Sequence, residues 1–272
     1  LYQHRALELP AGLATGNGRL EATEVDVASK IAGRLREVLP HEGDMVAAGA
    51  VVARLDADDL RAQVRAAEAQ VEQARKAVEQ TQAGMRKSKS DVSLAGKTLK
   101  RSEELVNKGF ISRNKLDTDL TGMEGAMAGV AEARGRIGEA DAAVAAAEAK
   151  RDALLVTLAD SELKAPISGR VLYRLAEPGE VLAAGGKALT LLDLTDMSMT
   201  IYLPTDRAGR VALGSAARIV LDALPEQVIP AHVSFVAPKA QFTPREVETR
   251  SEREKLMFRI KVKADPAWLA AH

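Results

Sequence analysis

The sequence predicts an elongated α+β protein: a long antiparallel α-helical coiled-coil hairpin inserted into a split β-sandwich, with further short strands beyond it. Three observations predict this. A glycine-marked β-segment occurs twice, far apart in the chain. A 3.5-residue hydrophobic period fills much of the interval, which holds no proline from Leu60 to Ala165. Aromatic residues are only 3% of the 272 residues, too few for the thick aromatic core of a typical globular enzyme and suited to a thin, Ala-rich coiled coil.

The two β-segments are residues 29–56, SKIAGRLREVLPHEGDMVAAGAVVARLD, and 164–193, KAPISGRVLYRLAEPGEVLAAGGKALTLLD. Gly33 pairs with Gly169, Gly43 with Gly179 and Gly49 with Gly185 at one constant offset, and both copies end on Leu-Asp. The apolar runs between glycines are too short for helices, and glycine supplies positive φ at tight turns. One short sheet is marginal in water. Two copies are therefore expected to pack face to face, with residues 25–56 and 160–193 as the halves of one β-domain.

Residues 57–159 are predicted to be the hairpin. From Leu60 the positions Val64, Ala67, Val71, Ala74, Val78, Thr81, Met85, Ser88, Val92, Ala95, Leu99, Ser102 and Val106 advance in steps of four and three, the signature of a left-handed coiled coil. Asp58 and Asp59 stand where carboxylates favour a helix N-terminus. The pattern breaks at Asn107–Ser112, where Gly109 suits a C-terminal cap and Ser112 the N-cap of a returning helix. The return reads Leu116, Leu120, Met123, Met127 and Val130, then Ile137, Val144, Leu154 and Leu158, with a phase slip expected between Val130 and Ala133. Each arm of close to fifty residues would extend about 75 Å. Gly122, Gly125, Gly129, Gly135 and Gly138 weaken the second arm and permit either close helix approach or bending.

After Asp193, strands are expected around Met199–Leu203, Ala217–Leu221, Val233–Val236 and Leu256–Val262, with prolines confined to the breaks. Residues 1–24 and 194–272 form the remaining region. The first 24 residues contribute either a strand to it or a separate domain.

Several functions are set aside by composition. Lys+Arg and Asp+Glu each total 38, so nothing points to nucleic acid or a bulk membrane surface. There is no cysteine, which excludes disulfides, zinc–thiolate sites and thiol nucleophiles. His4, His41, His232 and His272 lack ligand spacing, and Gly12, Gly16 and Gly18 lack the strand-to-helix context of a phosphate loop. Met123 and Met127 read as seam residues. Neither catalysis, a cofactor nor a metal is expected. No apolar run approaches the 20 or so residues of a membrane span, and a chain beginning at Leu1 is expected to be a processed or truncated piece.

The split, glycine-marked halves around a helical insert resemble the HlyD-type membrane-fusion family, the periplasmic adaptors of bacterial exporters. In that resemblance the halves correspond to a lipoyl-like domain, the hairpin occupies the turn that bears the modified Lys of carrier domains, and the region after Asp193 corresponds to a β-barrel. Arg101, Leu105 and Ser112 are similar to the R-x3-L-x6-S pattern at the tips of adaptors that dock with TolC-type channels, with Gly109 in the same turn. Phe242–Thr249 resembles a motif of adaptors paired with ABC-type exporters.

The resemblance implies a TolC-like outer-membrane channel and an inner-membrane transporter of ABC type as partners. It also implies self-association into a hexameric ring, and a periplasmic location with an N-terminal anchor lying outside this chain. From Gly84 to Lys115 there are nine Lys/Arg against three Asp/Glu; an acidic channel rim and an ordinary solvated coiled-coil face both account for this excess. The competing classes are a cytosolic coiled-coil scaffold and a modified-lysine carrier.

Overall fold

The structure, a computed structural model, describes residues 13–239 and 257–271. It divides into two compact units, Asp56–Ser161 and the remainder of the chain. The motif at Phe242–Thr249, together with His4 and His272, lies outside the described residues. The fold class is the expected one, a helical hairpin with β-rich parts.

The β-unit begins with β1 (Gly18–Ala28). The first repeat supplies β2 (Gly33–Val38), β3 (Met45–Val46) and β4 (Val51–Leu55), and the second β5 (Glu162–Lys164), β6 (Gly169–Arg174), β7 (Val181–Leu182) and β8 (Lys187–Pro204). Each repeat lends strands to both sheets. One runs β5-β4-β2-β7, and in the other β6 sits between β3 and β8 while β1 lines the opposite edge of β8.

The exchange is reciprocal down to single hydrogen bonds. The Gly43 N–H donates to Val171 O (2.9 Å) and the Gly179 N–H to Leu35 O (2.7 Å); the Gly49 N–H donates to Ala165 O (2.8 Å) and the Gly185 N–H to Ser29 O (2.7 Å). Val171, Leu35, Ala165 and Ser29 return N–H bonds to the carbonyls of Asp44, Glu180, Ala50 and Gly186. Neither repeat can satisfy its own backbone, so each completes the other. Leu35, Val52, Ala53, Leu55, Val171, Leu189 and Leu191 form the dry core between the sheets.

The six repeat glycines do two different jobs. Gly43, Gly49, Gly179 and Gly185 have φ of 92°, 80°, 95° and 83°, a region L-residues avoid. Gly33 and Gly169 instead open strands and are not among the positive-φ positions. They are small because the chain is crowded there: a Cβ on Gly169 would lie 2.5 Å from the Leu192 carbonyl oxygen, and one on Gly33 3.1 Å from Leu55 Cδ1. Turn chemistry therefore explains four of the glycines, and close packing the other two.

Past Asp193 a second core gathers around Leu203, Ile219, Ile229, Val233, Ile260 and Val262. Here β8 continues beside β11 (Met257–Ala264), then β10 (Leu224–Val236) and β9 (Ala216–Leu221), with the short helices α3 (Thr205–Ala208) and α4 (Pro266–Ala271). β1 spans both cores along β8, with a register break between Ala22 and Thr23. At that break Asp196 accepts from the Thr23 hydroxyl (2.9 Å) and pairs with Lys263 (2.8 Å).

The prolines are not all at breaks, because Pro225 and Pro230 lie inside β10. Pro230 is tolerated for a geometric reason. Its carbonyl accepts from the Asp265 N–H (2.9 Å) beyond the end of β11, whose pairing with β10 starts at Ala231. The N–H it lacks would face the carbonyl of Asp265, which accepts instead from the Leu269 N–H of α4 (3.1 Å), so no acceptor is left unpaired.

The hairpin unit consists of two long helices, α1 (Asp58–Asn107) and α2 (Arg113–Ala159). In α1 all the four-three positions from Leu60 to Val106 are buried or half-buried, and almost every residue between them is exposed. The second helix departs from expectation. Its inward positions are Leu116, Asp119, Met123, Ala126, Val130, Ala133, Ile137, Ala140, Val144, Ala147, Arg151, Leu154 and Leu158, an uninterrupted alternation of three and four. There is no phase slip, and Leu120 and Met127 face outward at 47% and 49% exposure. From Asp119 to Ala147, a bonded Asp and then small Ala occupy every other inward layer. Nor do the second-arm glycines permit close approach: a Cβ at 122, 125, 129, 135 or 138 would meet nothing within 4 Å. Arg75 joins Glu148 across the pair at 2.6 Å. Among the described residues no helix is long and apolar enough to cross a membrane.

Candidate docking tip of the hairpin

The turn between the long helices is built from two interlocking caps. Lys108 closes α1, and Gly109 follows at φ 77°. The Gly109 N–H donates to Val106 O and the Phe110 N–H to Leu105 O, both at 2.9 Å. These are the two bonds of a Schellman motif, which satisfies the orphan carbonyls at a helix end and needs a left-handed residue at the glycine position. Ser112 then caps α2, its hydroxyl oxygen accepting from the Lys115 N–H at 3.4 Å.

Beneath the turn lies a polar bracket. Ser102, buried on α1, donates its hydroxyl to Asp119 on α2, and the Lys115 ammonium donates to the other oxygen of the same carboxylate. Lys115 first and Ser102 second hold the Asp119 carboxyl below the ordinary carboxylate range. A single charged group inside the seam is satisfied from both helices, which favours one register of the hairpin over its neighbours.

The predicted tip residues take distinct places on this platform. Arg101 is exposed, and Leu105 is half-buried one turn further along, on the same side of the helix. Gly109 provides the left-handed turn, and Ser112 is exposed while serving as a cap. Among the described residues Arg101 and Lys108 make no ion pair with a carboxylate, and neither does Arg113. The paired glycines of the β-unit are turn and packing residues at a different place in the chain.

Sequence reasoning missed two features. Asp119 was masked by its apolar neighbour Leu120, which fits an apolar template better. Phe110 lies inside the turn motif with no periodic signal to mark it, yet the residue is 74% exposed, the most exposed of the large apolar residues described. No described aromatic residue is fully buried, and Phe258 and Trp268 are half-buried against the second core.

Residues 77–152 match the family described as the RND MFP alpha-helical hairpin domain. The chain is 28% identical over 270 residues to a UPF0194 membrane protein of Yersinia pseudotuberculosis, covering 90% of this chain and 82% of that one. It is 28% identical over 288 residues to a UPF0194 membrane protein of Acidithiobacillus ferridurans, covering 97% and 84%. In fold it is similar to MacA from Actinobacillus actinomycetemcomitans, with a TM-score of 0.51 and 18% identity over 92% of this chain and 77% of that one.

Proposed function

We propose that this chain, whose hairpin and fold are those of the HlyD-type membrane fusion proteins, is a periplasmic adaptor joining an inner-membrane transporter to a TolC-like outer-membrane channel. One observation carries the reading. An unbroken antiparallel hairpin occupies the chain between two mutually completing β-halves, and it ends in a rigid turn presenting Arg101, Leu105, Gly109 and Ser112. The position that a carrier domain gives to a modified Lys is thereby filled. Membrane fusion adaptors are non-enzymatic in general, and the role assigned here is architectural.

In this reading the tip engages the channel and the β-unit serves the transporter. Arg101 offers a multi-donor fork to channel carbonyls or carboxylates, Leu105 an apolar contact, and Ser112 a hydroxyl whose proton is free of its capping role. Six copies form a ring, since one hairpin encloses no passage, and a segment ahead of this chain anchors each copy in the inner membrane.

For the transporter we favour the ABC type, on the motif at Phe242–Thr249. The match of residues 77–152 to the hairpin of RND-associated adaptors favours an RND-type partner instead. Affinity purification of the full-length protein from membranes, with the co-purifying transporter identified, separates the two.

The adaptor reading itself is tested by photo-crosslinkers at Arg101, Leu105 and Ser112 in intact cells. Capture of an outer-membrane channel from these positions, and not from the mid-hairpin positions Lys76 or Glu139, is the expected result. A cytoplasmic location for the full-length protein would end the reading and favour a scaffold.

A further inference from the structure

We propose that Phe110 is the apolar anchor of the tip, inserting into a pocket of the partner whose rim is acidic; this rests on the reading of the tip as the docking end. In a Schellman motif the residue after the glycine commonly packs back on the helix, against the position occupied here by Leu105. Phe110 makes the backbone bond to Leu105 O, but at 74% exposure its ring is not consumed by that contact.

The residue is also held for presentation. Two N–H bonds fix the turn before it, the Ser112 cap fixes the chain after it, and the Ser102–Asp119–Lys115 bracket pins the helices below. A ring on a pre-ordered platform loses little freedom on binding, which is what makes aromatic side chains effective anchors.

The surroundings specify the partner's chemistry. Lys108 and Arg113 flank the ring in sequence, Arg101 lies on the helix leading to it, and all three are exposed. An apolar centre with a polar, charged edge is the anatomy of a protein interface core and rim. Unpaired cations at the edge call for carboxylates opposite them.

The test uses the whole chain and a purified TolC-type channel in detergent, with affinity measured for wild type, Phe110→Ala, Phe110→Leu and the double charge reversal Lys108→Glu with Arg113→Glu. Phe110→Ala is expected to weaken binding by roughly thirtyfold, the loss typical of a buried aromatic anchor, with helix content unchanged. Phe110→Leu should recover most of the loss, and the double reversal should slow association and abolish its salt dependence.

Wild-type affinity in Phe110→Ala, with channel crosslinks from Arg101 and Ser112 intact, would overturn the anchor and leave the adaptor reading standing. Absence of any channel binding or crosslink by the wild-type chain would overturn both. A change in the self-association of the isolated chain on Phe110→Ala would assign the ring to a contact between copies instead. Phe110-dependent binding to anionic lipid vesicles, without channel binding, would assign it to a membrane surface.

Discussion

Val51 lies directly opposite Lys164 in an antiparallel ladder, although the entire helical hairpin separates them in the chain. Beside them the Gly49 N–H reaches Ala165 O, and the Ala165 N–H reaches Ala50 O. The two repeats are therefore not stacked halves with private hydrogen bonds; each supplies edges that the other lacks. A long insertion between such halves is tolerated because the pairing of β4 with β5 brings its two ends together, and loop-closure cost grows only slowly with length.

That arrangement predicts a hierarchy among glycine substitutions. At Gly43 and Gly179 a Cβ would meet nothing within 4 Å, so Ala there costs only the left-handed backbone penalty of about 1–2 kcal/mol. At Gly169 the Cβ would lie 2.5 Å from a backbone oxygen that cannot turn away. Urea unfolding of the whole chain should rank Gly169→Ala as clearly more damaging than Gly43→Ala. Equal effects would mean the β6–β8 approach is looser than described.

The second arm predicts gains instead of losses. Gly135 and Gly138 sit in mid-helix with open space around them, so Ala at each should raise hairpin stability by about 1 kcal/mol. A higher midpoint for the helical transition in circular dichroism is the expected outcome. A lower one would show that the glycines relieve a strain invisible in the static fold.

The same arm shows what could be read in the sequence and what could not. Its partner helix is legible throughout, because Val and Leu recur against charged neighbours. In α2 the alternate inward positions from Asp119 to Ala147 are Asp or Ala, scarcely distinguishable from the Ala and Gly elsewhere on that helix, so Leu120 and Met127 mislead an apolar template. The repeats were legible from glycine spacing alone, but the exchange of strands between them was not. Which edge each strand completes depends on partners brought close only by folding. At the tip, Arg101, Leu105, Gly109 and Ser112 stand out as a spacing, whereas Phe110 is distinguished only by its exposure.

Substitution can test the corrected seam directly. Met127→Gln should change stability by less than about 0.5 kcal/mol, as for an ordinary surface site. Val71→Ala, at a position only 3% exposed, removes two buried carbon groups and should cost about 2 kcal/mol. If Met127→Gln proves the more damaging, the register of α2 is wrong by one position.

Leu105→Asp should impair export in cells while leaving the purified chain folded, since the side chain is half-buried at the end of the seam and not in its dry layers. Near-complete loss of export with an unchanged far-ultraviolet spectrum is the expected pair of results. A collapse of helicity would make Leu105 a structural residue of the Schellman turn.

Acid should loosen the tip through Asp119. Asp119 is held below the ordinary carboxylate range by Lys115 and then Ser102, so its folded pKa is depressed relative to the unfolded chain. A group of that sign contributes stability that is fully present above its unfolded value, near 4, and is lost as pH falls through the folded value. The bracket should therefore be intact at neutral pH and release its two partners only below about pH 4. Hydrogen exchange at the amides of residues 102–119 should accelerate on that descent, relative to mid-hairpin amides. In Asp119→Asn that acid-dependent acceleration should vanish, with the neutral-pH rate already raised. An unchanged acid response in the variant would move the titration to another carboxylate.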